Sequence, residues 1–285
     1  MSAFALPVLG TLALWWASTG AILYLDGLSR RTFAVSMAIA TALLGVAVWG
    51  LIVSSTRTTD SAAYCAFASG LAAFAWQLVS FYTGYVTGPC KTVCPPDCRG
   101  WRRFIEALRT SLYHEVALLG FALLLALLIY RAPNQFGLWT FLALWWMHSS
   151  AKINVYFGVP NLNEELLPEH MRYLVSFMRR RPMNLFFPIS VTLSTIVMVL
   201  LAQRAFAAST DFEAAGFAIL ATLVMLAVAE HWFLVAPVHV NALWSWGVKS
   251  GPQDTIEVQD ATAEKAEHAS LQFAVLRSSQ AAGRV

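Results

Sequence analysis

Long, uninterrupted runs of apolar residues recur along the chain, and shorter polar segments separate them. Seven runs reach the length of about 20 residues that a helix needs to cross a bilayer. The runs do not alternate between apolar and polar positions, so they do not predict β-barrel strands. The sequence therefore predicts an all-α, polytopic helical bundle in a membrane, with spans near residues 6–25, 33–54, 62–86, 111–130, 137–157, 185–203 and 214–236.

Composition agrees with this pattern. The 285 residues are 58% hydrophobic and only 12% charged. Soluble domains contain about 45–50% apolar and about 25% charged residues, so a soluble globular protein is excluded. The first run has no basic segment before it and no small-residue cleavage site after it, so we expect a retained helix rather than a signal peptide.

The basic residues predict the orientation, because Lys and Arg prefer the cytoplasmic side of short loops. Most of the 19 lie in the tail or after the first, third and fifth spans, including Arg30, Arg31, Lys91, Arg99, Arg102, Arg103, Arg109 and residues 179–181. The opposite loops hold only Arg57, Arg131 and Arg204. We therefore expect a periplasmic N-terminus, a membrane domain over residues 1–248, and a cytoplasmic, largely disordered tail over residues 249–285.

Ionisable residues inside membrane spans are expensive, so each is a candidate functional residue. With the predicted orientation, the ionisable residues of the fourth, fifth and seventh spans fall in the cytoplasmic leaflet. Together with Asn154 we call them the polar cluster. It comprises His114 and Glu115 in the fourth span, His148, Lys152 and Asn154 in the fifth, and Glu230 and His231 in the seventh.

The loop after the fifth span extends this polar region. Asn161 and Glu164 have the spacing of a capping box, which predicts the start of a new helix. Apolar residues then recur opposite charged ones, which predicts an amphipathic helix around residues 163–180 in the membrane interface. It would hold Glu165, Glu169 and His170 near the cytoplasmic mouth of the polar cluster.

These residue types permit several kinds of chemistry. Iron or another divalent metal is one, since His and Glu are the ligands of carboxylate-bridged di-iron sites, although the usual Glu-x-x-His spacing does not occur. A buried network that fixes the helices is another, with Lys152 paired to Glu115 or Glu230. Pigment ligation or a proton path would draw on the same groups, with His148, Lys152 and Asn154 as candidate cofactor-binding residues. The candidate metal ligands are His114, Glu115, Glu165, Glu169, His170, Glu230 and His231.

Three cysteines, Cys90, Cys94 and Cys98, follow the third span at a spacing of C-x₃-C-x₃-C. This spacing matches neither the common zinc signatures nor a thioredoxin motif. A metal site, a redox-sensitive loop and an ordinary proline-rich loop all remain open. The sequence contains no P-loop, dinucleotide fingerprint or H-E-x-x-H motif, and its basic residues do not form a nucleic-acid groove.

Several longer motifs resemble one known family. They are Trp15–Trp16, residues 18–20, 24–27, 30–32, 94–96 and 100–102, Tyr113–His114–Glu115, residues 150–154, 158–162, 167–170 and 179–184, and Glu230–His231–Trp232–Phe233. Together they are similar to the PuhE family, photosynthetic complex assembly protein 2, of purple and related phototrophic bacteria. The resemblance covers roughly residues 8–248.

The resemblance implies residence in the cytoplasmic or photosynthetic membrane. It also implies a role in the assembly of the reaction centre and light-harvesting apparatus, or in the supply of bacteriochlorophyll to it. Membrane lipid, reaction-centre or light-harvesting subunits and pigment-synthesis enzymes are the expected partners, and bacteriochlorophyll or a precursor is the implied ligand. The family assigns no catalytic residues. The His and Glu residues above keep an alternative open, a membrane-embedded, metal-dependent enzyme of di-iron type that acts on a tetrapyrrole or another amphipathic substrate at the cytoplasmic leaflet.

Overall fold

The chain folds as a set of helices. The computed structural model describes residues 4–237 and 243–244, and no strand occurs among them. The α-helices of this part are Ala5–Asp26 (α1), Phe33–Ser55 (α2), Asp60–Tyr82 (α3), Gly100–Leu128 (α4), Phe136–Phe157 (α5), Phe186–Phe206 (α6) and Asp211–Phe233 (α7). Short 3₁₀ helices cover Arg30–Thr32, Glu164–Leu166 and Glu169–Phe177. The predicted all-α class is confirmed, and the predicted tail lies outside the described residues.

Six of the seven predicted spans are helices long and apolar enough to cross a membrane. Helix α5 is the exception. It has 22 residues, but its polar side chains, which include His148, Lys152 and Asn154, keep its mean hydropathy below that of the others. A seventh crossing by α5 and the orientation of the bundle therefore remain predictions.

Two boundaries differ most from the predicted ones. Helix α4 begins at Gly100 rather than near Ser111, because the segment between them continues the same helix with a polar face. Helix α3 ends at Tyr82 rather than near Val86. The chain turns there through Gly84, whose φ of 85° lies in the left-handed region that favours glycine.

Helices α3 and α7 form the centre of the bundle. In their most apolar windows, 61% and 56% of the residues are buried, against 11% in α1 and 22% in α4 and α6. Phe67 and Leu71 of α3 pack against Ile219 and Leu223 of α7. The outer helices expose apolar side chains, as expected where a helix faces lipid rather than water.

Helices α3 and α5 approach closely at two glycines. A Cβ atom added to Gly70 would lie 2.4 Å from the carbonyl oxygen of Gly137. One added to Gly137 would lie 2.1 Å from the Leu51 side chain and 2.8 Å from the Ala66 carbonyl oxygen. Small residues let helix backbones approach in this way in membrane proteins.

Asparagine side chains tie the loops to the helix ends. Asn134 donates to the carbonyl oxygens of Ser54 and Ala62 at 3.0 and 3.1 Å. Asn184 donates to the carbonyl oxygens of Asn154 and Gly158 at 3.2 and 2.9 Å. Ser54 and Asn154 lie in the last turns of α2 and α5, and Ala62 lies in the first turn of α3, so each asparagine fastens a loop to a helix end.

The segment after α5 is helical but not the predicted α-helix. A 3₁₀ helix covers Glu169–Phe177, with Met171 and Phe177 buried and Glu169 exposed, so its faces do differ in polarity. The predicted capping box is wrong. The Asn161 side chain instead donates to the carbonyl oxygens of Phe233 and Ala236, and these bonds tie the loop to the end of α7.

Candidate functional site

Helices α4 and α5 are joined by an ion pair. The Lys152 ammonium on α5 contacts the Glu115 carboxylate on α4, and both side chains are about two-thirds or more buried, with exposures of 32% and 24%. The Trp145 indole N–H lies 3.5 Å from the other carboxylate oxygen of Glu115. Lys152 therefore pairs with Glu115, which is the first of its two predicted partners.

Two imidazole rings lie side by side in the same region. The ring centroids of His114 on α4 and His148 on α5 are 6.0 Å apart at an angle of 80°. Phe81 packs on His114 at 4.7 Å, and Phe74 packs on His148 at 5.9 Å. Both ring nitrogens of His114 and Nε2 of His148 are buried without a hydrogen-bond partner in the described part of the chain. This geometry leaves these nitrogens available to a water molecule or a ligand.

His231 on α7 has both of its ring nitrogens paired. Nδ1 lies 2.8 Å from the Ala227 carbonyl oxygen, which can only accept, so Nδ1 carries the proton. Nε2 then accepts from the Ser150 hydroxyl of α5 at 3.0 Å. A neutral imidazole with this tautomer links α5 to α7, and its lone pair is already used.

Asn154 serves as a link between α5 and α6. Its amide donates to the Ser150 carbonyl oxygen at 3.1 Å and to the Ser190 hydroxyl at 3.0 Å. The side chain is fully buried, and its own amide oxygen, Oδ1, has no partner among the described residues. Asn154 and Lys152 are both predicted cofactor-binding residues, but Asn154 bonds to Ser150 and Ser190, whereas Lys152 pairs with Glu115.

Glu230 faces α1 rather than the other acidic residues. Its carboxylate accepts a hydrogen bond from the Trp15 indole. Trp244 then packs edge-on against Trp15 at 5.5 Å and donates to the Trp16 carbonyl oxygen at 3.2 Å. Trp15 thus connects α1 to Glu230 of α7, and Trp244 packs on the same part of α1.

His170 lies in the 3₁₀ helix Glu169–Phe177 and packs on Phe33 at 5.7 Å. A backbone hydrogen bond connects it to Tyr82. Burial and then the nearby Arg30 hold the pKa of His170 below its usual value. Glu165 and Glu169 are both exposed. The structure thus places His170 against the ends of α2 and α3, not against the pair of His114 and His148.

The seven candidate metal ligands are not brought together. Within residues 4–237 and 243–244, no group of three or more His, Cys, Asp and Glu side chains could hold a metal ion. Glu115 is paired with Lys152, and His231 is held by Ser150 and Ala227. The donor set therefore does not fit a carboxylate-bridged di-iron centre.

The cysteines divide into a pair and two single residues. The side chains of Cys94 and Cys98 lie within hydrogen-bonding reach of each other. The Cys90 sulfur instead lies 3.7 Å from the Thr92 hydroxyl, and Cys65 faces the Gly50 carbonyl oxygen at 3.8 Å. All four cysteines are free thiols.

Several linking residues were missed by the sequence reasoning, notably Asn134, Asn184, Ser150 and Ser190. The two asparagines had a signal, because each stands just before the start of an apolar run. The side-chain oxygen Oδ1 of Asn184 accepts from the N–H groups of Phe186 and Phe187 at 3.0 Å, as a helix-capping residue does. The two serines gave no such signal in the sequence, since a hydroxyl within a span ordinarily donates to a carbonyl oxygen of its own helix.

Comparison with known proteins adds one family and one relative. Residues 1–255 match the family described as "Protein of unknown function (DUF3623)". A protein of Rhodobacter capsulatus described as "Uncharacterized 30.4 kDa protein in puhA 5'region" is 37% identical over 259 residues, which cover 88% of this chain and 94% of that protein. No solved structure matches the chain.

Proposed function

Because the chain belongs to the DUF3623 family of proteins of unknown function, we propose its role from the position of its relative and from its polar contacts. The proposed role is that of a multi-pass factor of the bacterial inner membrane without catalysis of its own. It would act in the assembly of the reaction centre and light-harvesting apparatus or in the supply of bacteriochlorophyll to it. That this family is the PuhE family is our inference from the motifs.

The relative's place in the puhA 5' region supports a role in photosynthesis. The apolar helices support contact with membrane lipid. Reaction-centre or light-harvesting subunits and pigment-synthesis enzymes are the partners that we propose for it.

One observation carries the non-catalytic part of the proposal: several of the polar side chains predicted as site residues pair with a neighbouring helix. Glu115 pairs with Lys152, Ser150 with His231, and Asn154 with Ser190. Polar contacts of this kind hold membrane helices together. A catalytic metal centre would instead need several of these groups to converge on one point.

The test uses Glu230→Ala and His231→Ala in a phototrophic host that depends on this chain. Each variant breaks a link between α7 and a neighbouring helix, so we expect less of the protein in the membrane and a parallel loss of reaction centre. Glu106→Gln is the control, because Glu106 pairs with Arg109 on the same helix and the change breaks no described link between helices. Normal protein levels with a single accumulated pigment precursor would contradict the proposal and indicate an enzyme.

A further inference from the structure

A turn over residues 95–98 lies in the segment between α3 and α4, with Cys98 at its end and Cys94 just before it. The Cys98 N–H donates to the Pro95 carbonyl oxygen at 2.9 Å, which reverses the chain. The Cys94 sulfur lies 3.9 Å from the Cys98 carbonyl oxygen, and the two side chains lie within hydrogen-bonding reach. Two cysteines can be bridged only where their side chains approach each other, and the contact between these two side chains is the reason to consider them as a pair.

The two thiols have unequal environments. Cys98 is 6% exposed, whereas Cys94 is half-buried. The hydrogen bond to the Cys94 side chain and then burial raise the pKa of the Cys98 thiol to about 11. Thiol–disulfide exchange begins with an accessible thiolate. Cys94 is therefore the thiol that an outside reagent meets first, and Cys98 is placed to react second.

We propose that Cys94 and Cys98 form a redox-active dithiol whose substrate is a low-molecular-weight disulfide. The Cys94 thiolate attacks one sulfur of the small disulfide, which releases one small thiolate and leaves a mixed disulfide on Cys94. The Cys98 thiol gives its proton to that thiolate and attacks the Cys94 sulfur, which releases the second small thiolate, and this takes up the proton that Cys94 lost. The two protein thiols lose two electrons, and the small disulfide gains them as two thiols.

The dithiol lies where its closure would stiffen a connection between two elements. The Cys94 N–H donates to the Ser176 hydroxyl in the 3₁₀ helix Glu169–Phe177 at 2.8 Å. Arg103, in the second turn of α4, donates to the carbonyl oxygens of Phe177 and Met178 at 2.7 and 3.1 Å. A disulfide would fix the turn between these two attachments. This inference does not depend on the proposed function.

The experiment uses the full chain in mild detergent. The protein is equilibrated with mixtures of reduced and oxidised glutathione, free thiols are blocked with a maleimide, and the peptides are identified by mass spectrometry. Cys65→Ser/Cys90→Ser keeps only the pair and is the matched control. Cys94→Ser and Cys98→Ser each remove one partner. A sample unfolded in detergent shows the behaviour of the four thiols without the fold.

We expect the folded wild type and Cys65→Ser/Cys90→Ser to form the Cys94–Cys98 disulfide at the same glutathione ratio. Cys98→Ser should stop at the mixed disulfide on Cys94, and Cys94→Ser should leave Cys98 unmodified. The proposal is overturned if Cys90 pairs with either residue. It is also overturned if Cys98 reacts as fast without Cys94, or if the folded protein forms no more disulfide than the unfolded sample.

Discussion

The ion pair between Glu115 and Lys152 joins α4, one of the outer helices, to α5, which also carries His148 and Asn154. Trp145 contacts the same carboxylate, so three side chains hold the two helices at this level. An isolated charge inside a membrane protein is costly, and each member of the pair reduces that cost for the other.

Glu115→Gln should therefore destabilise the protein by about 2 kcal/mol, less than for a fully buried pair, because it leaves the Lys152 charge without its partner. The double variant Glu115→Gln/Lys152→Gln carries no charge there and should recover part of the loss. Thermal unfolding in detergent measures both.

The control for this pair is Glu106→Gln, which removes an ion pair within α4, because its partner Arg109 follows three residues later and has a half-exposed side chain. Pairs of this kind contribute less than about 1 kcal/mol. Equal losses for Glu106→Gln and Glu115→Gln, or a further loss in the double variant, would contradict the role that we assign to the pair.

Gly70→Ala tests the close approach of α3 and α5. The new methyl group would lie 2.4 Å from the Gly137 carbonyl oxygen, so the helices must separate. We expect a loss of about 1–3 kcal/mol, as for other overpacked interiors. Gly45→Ala and Gly120→Ala are matched controls, since no heavy atom lies within 4 Å of a Cβ at either position. If all three variants unfold alike, the contact does not determine the packing.

Acid should loosen the 3₁₀ helix Glu169–Phe177 through His170. The folded state lowers the pKa of His170, so the unfolded state binds more protons once the pH falls below about 6.5. The stability that neutral His170 contributes is present above that pH and is lost as the pH falls through the folded pKa. Arg30 and Lys91 oppose protonation, while Glu169 and the Tyr82 backbone favour it.

Hydrogen exchange of residues 169–177 between pH 7 and pH 5 measures this effect. After correction for the intrinsic pH dependence of amide exchange, we expect these amides to be less protected at the lower pH in the wild type, and we expect their protection to be independent of pH in His170→Gln. An unchanged pH dependence in that variant would assign the effect to another group.

Ser150→Ala removes the donor to His231 Nε2 and leaves that buried nitrogen without a partner. We expect a loss of about 1–2 kcal/mol in thermal unfolding, the cost of an unsatisfied buried group. Ser149→Ala is the control, because adjacent residues point about 100° apart on a helix. A loss as large for Ser149→Ala would show that the serine–histidine bond is not the cause.

The helices could be predicted from the sequence because a run of about 20 apolar residues has few alternatives in a membrane. The pairing of Glu115 with Lys152 was one of two open choices, since helix spacing gives the depth of a residue but not its neighbour. Polarity of one helix alone could not show that Glu230 faces Trp15 on α1 or that His231 bonds to Ser150.

The segment after α5 shows the same limit in another form. Its alternation of apolar and charged residues predicted a helix, and one forms at Glu169–Phe177. Its 3₁₀ geometry and the attachment of Asn161 to the end of α7 depend on tertiary contacts, and local sequence does not encode them.

The proposed role of this chain in the formation of the photosynthetic apparatus can be tested in a phototrophic host. The most direct test deletes the gene of its relative in Rhodobacter capsulatus, supplies this chain in its place, and measures light-induced reaction-centre bleaching per unit of membrane protein. We predict a reduced signal in the deletion strain and its recovery with this chain but not with an empty vector. An unchanged signal, with unchanged bacteriochlorophyll and light-harvesting absorbance, would contradict the account.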